Sequence, residues 1–328
     1  MDYLAEGTCY LFAPESTRRR ELEAGLARIL QTAGFQEVVL PTVQAYDPDS
    51  PKPLRRTVDS AYKLIDSRGR VMVLRPDMTE TVASIASREL SRLPRPLRLF
   101  YSGSVFRPPR PGLPDPMESY QMGAEVVGGA GCLEDAKILS VVARCLEDAG
   151  VPGFQVRLGH VGVIDAVMDF AGMPPPLRAR FREALVAKDL VRVSGLLEAA
   201  PMPGACRDFL ERILSFPDGQ EVLDAATSLA SYDPSGTIQR TLEEFEEILA
   251  GARVNGVDDC IQIDLGLLRH LDYYTGMVFE VYAPGTGGPI AGGGRYDGLL
   301  RILGSQEGAA GFALNIDRIL MTACGWGS

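Results

Sequence analysis

The sequence predicts an α+β fold: one large antiparallel sheet flanked by helices and interrupted by an all-helical insertion. Three observations carry this prediction. Strand-like segments rich in β-branched and aromatic residues occur in pairs, at 97–128 and again at 260–284. Helical periodicity fills stretches beside them, as at 133–149. Between about 173 and 252 the strand signals stop and only helical periodicity remains.

Pro14 suits a first helical turn, where its missing N–H is not needed, and Leu22, Leu26, Ile29, Leu30 and Ala33 follow at helical spacing. Gly34 ends that helix. VVLPT (38–42) reads as a short strand bounded by Pro41, followed by a proline-rich loop at 47–53. AYKLIDSRGRVMVLRP (61–76) alternates on both sides of SRG, which predicts a hairpin with Gly69 in its turn. A helix at 78–92 precedes two strands, 97–107 and 118–128, joined by PPRPGLPDPM. A helix (about 133–149), a strand (154–161) and another helix (about 162–172) come next. LRARFREALVAKDLVRVSGLLEA, CRDFLERIL and IQRTLEEFEEILAGA form the insertion. Strands return at 260–268 and 274–284, and a glycine-rich stretch leads into GFALNIDRILMTAC. The chain thus divides into a core of 1–172 and 253–328 and a helical insertion of 173–252.

Composition excludes several classes. Hydrophobic residues at 46% and charged residues at 23% are ordinary for a globular protein. No apolar run approaches the roughly 18 residues of a membrane span, and the first ten residues lack the pattern of a signal peptide. The six cysteines, at 9, 132, 145, 206, 260 and 324, form no CxxC pair, which suits reduced thiols in the cytoplasm. His160 and His270 are the only histidines and lack recognisable partners, so both are expected to be structural, with no metal and no cofactor. A net charge of −10 works against nucleic acid as the main ligand, because phosphate contacts need basic surface.

LRPDMTETVA (74–83), GSVFR (103–107), YQMGAEVVG (120–128), LLRHLDYYTGMVFEVY (267–282), AGGGRYDGL (291–299) and GFALNIDRIL (311–320) occur in the order found in histidyl-tRNA synthetases. The chain resembles that family over nearly its whole length. The resemblance implies a class II aminoacyl-tRNA synthetase-like core that self-associates through the class II-type dimer interface. It also implies a histidine pocket made of Asp77, Thr79, Gln121, Glu125, Arg269, Tyr273, Tyr274 and Tyr296. The chemistry fits: carboxylates suit an ammonium, a guanidinium suits a carboxylate, and polar groups suit an imidazole. Gln121 and Glu125, four apart on a strand, share a face. Asp77 stands where the synthetases carry glutamate. Taken singly, each residue has a plainer reading. Glu125 would be a solvated surface group, the tyrosines would be core, and Arg269 a surface ion pair.

The nucleotide half is less well kept. Arg107 and Arg318 match the arginines of motifs 2 and 3 and are expected to form a remnant nucleotide or anion site. Pro109 replaces the glutamate that reads adenine, and Asp115 and Met117 stand at positions expected to be basic. An anion beside a triphosphate works against its binding. The chain stops ten residues after Arg318, so no anticodon-binding domain is expected. This pattern resembles the regulatory subunits of ATP phosphoribosyltransferase. The resemblance implies a non-catalytic subunit in the first step of histidine biosynthesis. Its partners would be a short-form catalytic subunit and L-histidine as feedback inhibitor, with no tRNA and no membrane. A truncated synthetase-like enzyme activating histidine, or a ligand-free scaffold, remain alternatives on the residues alone.

Overall fold

A computed structural model describes residues 4–5, 7–51, 58–108, 116–129, 131–215, 219–269 and 273–323. Helix α1 (Glu15–Thr32) ends as expected, with Gly34 in the left-handed region at φ 87°. Strands β1 (Gln36–Glu37) and β2 (Val43–Ala45) follow. The strand expected at 38–42 therefore falls on either side of that stretch. Pro41 interrupts it by supplying no N–H, although Val38 N–H still reaches Phe100 O at 2.8 Å. β3 (Lys63–Ile65) and β4 (Val71–Leu74) form the expected hairpin, with Gly69 at φ 77° in its turn. Together with β2 they make a small antiparallel sheet in the order β2–β4–β3.

The main sheet needs further elements. These are α2 (Thr79–Ser87), β5 (Leu97–Phe106), β6 (Glu118–Val127), α3 (Gly131–Asp148), β7 (Gln155–His160) and α4 (Val161–Phe170). The helical segment then holds α5 (Pro175–Val186), α6 (Leu190–Ala199), α7 (Gly204–Arg212), α8 (Gly219–Ala230) and α9 (Thr237–Val254). β8 (Ile261–Ile263), β9 (Met277–Tyr282), β10 (Ala291–Arg295), α10 (Asp297–Ile302), β11 (Ala309–Asn315) and α11 (Ile316–Ala323) complete the described elements.

Strand order is β1–β5–β6–β11–β10–β9–β7–β8. The six central strands are antiparallel, as expected, but β1 and β8 run parallel to β5 and β7 at the two edges. The reason for β8 is the helical segment between it and β7. Parallel neighbours need a long crossover, and the helices from α4 to α9 supply it between β7 and β8. β8 is shorter than expected because Asp264 turns the chain, its side chain accepting Gly266 N–H at 3.1 Å.

One face of the sheet is covered by helices. Leu26 and Leu30 of α1, and Ile138, Leu139 and Val142 of α3, pack on Phe100, Met122, Val126, Phe279 and Phe312. Phe181, Phe209, Leu242 and Phe245 of the helical segment join the same cluster. Burying each such side chain contributes about 1.5–3 kcal/mol. α9 lies so close to α3 that a Cβ on Gly251 would stand 2.6 Å from Ala136 Cβ. The other face carries the polar residues described next.

Candidate functional site

Alternation along the strands fixes which residues share that second face. Register places Tyr101 of β5 opposite Gly123 of β6, and Gly103 opposite Gln121. Gly311 of β11 lies opposite Glu125, and β10 continues the row with Gly292 and Gly294. Gln121 and Glu125 do share a face, with Gln121 half-buried between Gly103 and Asn315.

Glu125 is the centre of the arrangement and is only 1% exposed, so it is no surface group. Its Oε1 accepts hydrogen bonds from Thr79 Oγ1 and Tyr101 Oη, both at 2.8 Å, and its Oε2 accepts from Tyr296 Oη at 2.6 Å. All three donors are neutral hydroxyls. Burial pushes the carboxyl up to about 7, and the charge of Asp77 adds to this, while the three hydroxyls pull the other way. Burial also holds the Tyr101, Tyr273 and Tyr296 hydroxyls well above their usual range.

Asp77 and Thr79 sit at the entry to α2. Asp77 Oδ1 accepts Glu80 N–H at 3.2 Å, which satisfies one of the free donors of the first helical turn. Its Oδ2 lies 3.6 Å from Arg107 Nη2. Arg107 also donates Nε to Pro76 O at 2.7 Å. The aspartate expected at an ammonium and the arginine expected at a phosphate are therefore paired with each other.

Arg269 and Tyr274 form another wall. Arg269 Nη1 donates to Tyr274 Oη at 3.2 Å, and its Nε lies 3.5 Å from Glu280 Oε1. Tyr273 packs edge-on against Tyr296, with ring centres 6.0 Å apart, and its buried hydroxyl has no hydrogen-bond partner among the described residues. An orphaned buried hydroxyl costs about 1–3 kcal/mol, which a bound polar group would offset. Arg318 lies outside this group. Its Nη1 donates to Pro289 O at 2.8 Å, and its N–H is accepted by Asn315 Oδ1 at 3.0 Å.

The structure thus gathers Thr79, Glu125 and Tyr296 directly, and joins Asp77 to Arg107 and Arg269 to Tyr274. Pro109, Asp115 and His270 lie outside the described residues. Met117 makes backbone contacts, its carbonyl accepting Arg107 N–H at 3.0 Å. His160 lies away from the pocket, at the junction of β7 and α4. Among the described residues, no group of three or more His, Cys, Asp or Glu side chains is placed to hold a metal ion.

Three residues were not foreseen. Tyr101 donates to Glu125. Glu280 pairs with Arg269 and accepts from Tyr282 Oη at 2.6 Å. Arg75, 4% exposed, donates to Leu40 O and Ser104 O and tethers the small sheet to β5. Alternation along 97–107 and 274–284 is the signal that places Tyr101 and Glu280 on one face or the other.

Fold and site together define a class II synthetase-like core with a cluster of hydroxyls and carboxylates on one face of its sheet. The family model for histidyl-tRNA synthetase matches residues 9–319. The ATP phosphoribosyltransferase regulatory subunit of Moorella thermoacetica is 36% identical over 321 residues, 97% of this chain and 81% of that protein. The Thermus thermophilus protein of the same name is 33% identical over 322 residues, 97% of this chain and 82% of its own. A crystal structure of an ATP phosphoribosyltransferase regulatory subunit/histidyl-tRNA synthetase from Bacillus halodurans matches with a TM-score of 0.87 at 26% identity, covering 99% of this chain and 83% of that one. The chain belongs to the histidyl-tRNA synthetase-like family, among the regulatory subunits of ATP phosphoribosyltransferase.

Proposed function

We propose that this chain is a regulatory subunit that binds L-histidine in the Glu125 pocket and passes its occupancy to a short-form ATP phosphoribosyltransferase, without catalysing a reaction itself. The observation that carries this reading is the buried Glu125 carboxylate held by Thr79, Tyr101 and Tyr296. Nearby is the Tyr273 hydroxyl, buried and without a hydrogen-bond partner among the described residues, in a chain whose relatives bear that name. Glu125 and the tyrosines would read the imidazole, Asp77 and Gln121 the ammonium, and Arg269 the carboxylate.

Regulation then has a plain thermodynamic form. Histidine inhibits only if it binds the inactive assembly more tightly than the active one. A coupling of about 1–3 kcal/mol is enough for a 5- to 150-fold effect. Self-association through the core is part of the same proposal, as are a cytoplasmic location and the absence of a tRNA ligand. Among the described residues no helix is long and apolar enough to cross a membrane.

The test is to mix the purified chain with a short-form ATP phosphoribosyltransferase and follow turnover with and without histidine. The expected result is activation by the chain, reversal by histidine, and no ATP–pyrophosphate exchange with histidine. Unchanged turnover, or histidine-dependent exchange, overturns the reading.

A further inference from the structure

Residues 295 and 296 are neighbours in the chain but serve opposite sides of the sheet. Tyr296 turns toward the pocket and donates to Glu125 Oε2. Arg295 turns to the helix-covered side. There its Nε donates to Asp135 Oδ2 at 3.0 Å and its Nη2 to Asp135 Oδ1 at 2.7 Å, a two-pronged pair in which the Asp135 side chain is 3% exposed and that of Arg295 12%. Its Nη2 also reaches Gly131 O at 3.1 Å, and its Nη1 reaches Asp297 Oδ1 at 3.3 Å. Asp297 Oδ1 in turn accepts Ala309 N–H at 2.9 Å, next to the bond from Tyr296 N–H to Ala309 O at 2.7 Å. The backbone on both sides of Tyr296 is thus clamped to the first turn of α3 and to the start of β11.

A buried ion pair is an expensive way to join a strand to a helix, since packed apolar side chains of similar volume often do as well or better. What it adds is direction. A planar guanidinium gripped at two nitrogens by one carboxylate leaves Arg295, and the ring that follows it, little rotational freedom. The surroundings leave the pair no slack: a Cβ on Gly276 would stand 3.1 Å from Arg295 Cδ, and one on Gly308 would stand 3.1 Å from Arg295 Nη1.

We propose that Asp135 and Arg295 are positioning residues for the pocket: they touch no ligand, but hold Tyr296 so that its hydroxyl meets Glu125. This rests on the histidine-binding reading and deepens it. It assigns ligand recognition a support on the far side of the sheet, in the helix that packs against α9. Removing the support lets the Tyr296 ring drift. Glu125 then loses one of its three donors, and both the affinity and its pH dependence change together.

The experiment is calorimetry of the full chain with L-histidine between pH 6 and 8, for wild type, Asp135→Asn and Arg295→Lys, with circular dichroism to confirm folding. The expected result is an affinity about tenfold weaker in both variants, the size of one hydrogen bond to a charged group. The pH profile should move upward in both, because a carboxyl with fewer donors holds its proton to higher pH. A purely structural role would lower the melting temperature and leave that profile where it was. Folded variants with wild-type affinity and profile overturn the proposal. Should neither variant fold, amide exchange in the wild-type chain decides. Histidine should slow exchange at 131–137 and 295–297, and unchanged exchange in both stretches overturns the proposal. Failure of the wild-type chain to bind histidine overturns the functional reading itself, an outcome distinct from variants that bind as well as wild type.

Discussion

Glu125 and Asp135 are both buried carboxylates, 1% and 2% exposed, yet the molecule holds them in opposite ways. Glu125, on the pocket face, is surrounded by neutral hydroxyls. Asp135, on the helix-covered side, is gripped by a guanidinium. Burial pushes both up, to about 7 for Glu125 and about 6 for Asp135, with Arg295 restraining the second. Neutral donors leave a carboxylate free to change its proton or its partners near neutral pH. A two-pronged arginine commits it to one partner. One side of the sheet is arranged to respond and the other to stay fixed.

The largest expected effect comes from breaking the fixed side. Asp135→Ala leaves the Arg295 guanidinium with only Asp297 and the Gly131 carbonyl as partners and should cost about 1.5–3 kcal/mol of stability, measured by urea denaturation. A loss below about 1 kcal/mol would show that the pair contributes little. Glu125→Gln should act differently. A carboxyl raised from its usual 4.5 to about 7 favours its neutral form in the folded state, so its stabilising contribution is present below pH 4.5 and is lost as pH rises through 7. The variant should therefore gain melting temperature relative to wild type as pH rises from 5 to 8, while losing histidine binding. A difference that shrinks over that range would contradict the placement of Glu125.

His160 supplies an opposite slope. Burial, helped by Arg295, pushes its imidazole down to about 4 from the usual 6.5. Its contribution is present above pH 6.5 and lost as pH falls through 4. His160→Gln should flatten the acid limb of a melting-temperature profile between pH 6.5 and 4, and an unchanged limb would remove His160 from that role. Tyr296→Phe deletes one donor to Glu125 and should cost about 1–2 kcal/mol, measured as for Asp135→Ala. Smallest of all, Lys137→Ala removes a half-exposed partner of Glu134, 2.8 Å away at the surface, and should change stability by less than about 1 kcal/mol.

Much of the fold and part of the site could be read from residues alone, and the reasons divide cleanly. The spacing of Gln121 and Glu125 put them on one face because a strand has a period of two. The same period could not choose between Phe100 and Tyr101, since alternation defines two faces without saying which one holds the site. Tyr101 was therefore missed, and Glu280 beside Phe279 for the same reason. The segment at 38–42 looked like a strand by composition, but pairing began on either side of it, because partners across the sheet decide where a ladder runs. The parallel edge at β8 was hidden as well: it depends on how far the helices between β7 and β8 carry the chain before it returns. Asp77 and Arg107 were recognised individually. That each satisfies the other's charge is a fact of distance, which no one-dimensional pattern holds.

The row of small residues beneath the pocket has a further consequence. A Cβ on Gly123 would stand 2.5 Å from Tyr101 Oη, and one on Gly292 would stand 2.7 Å from Arg269 Nη1. Tyr101 and Arg269 can lie this close to the sheet only because those positions carry no side chain, so a single methyl group is enough to displace them. Gly292→Ala would push the Arg269 guanidinium, the far end of a flexible side chain, off the strand it rests on.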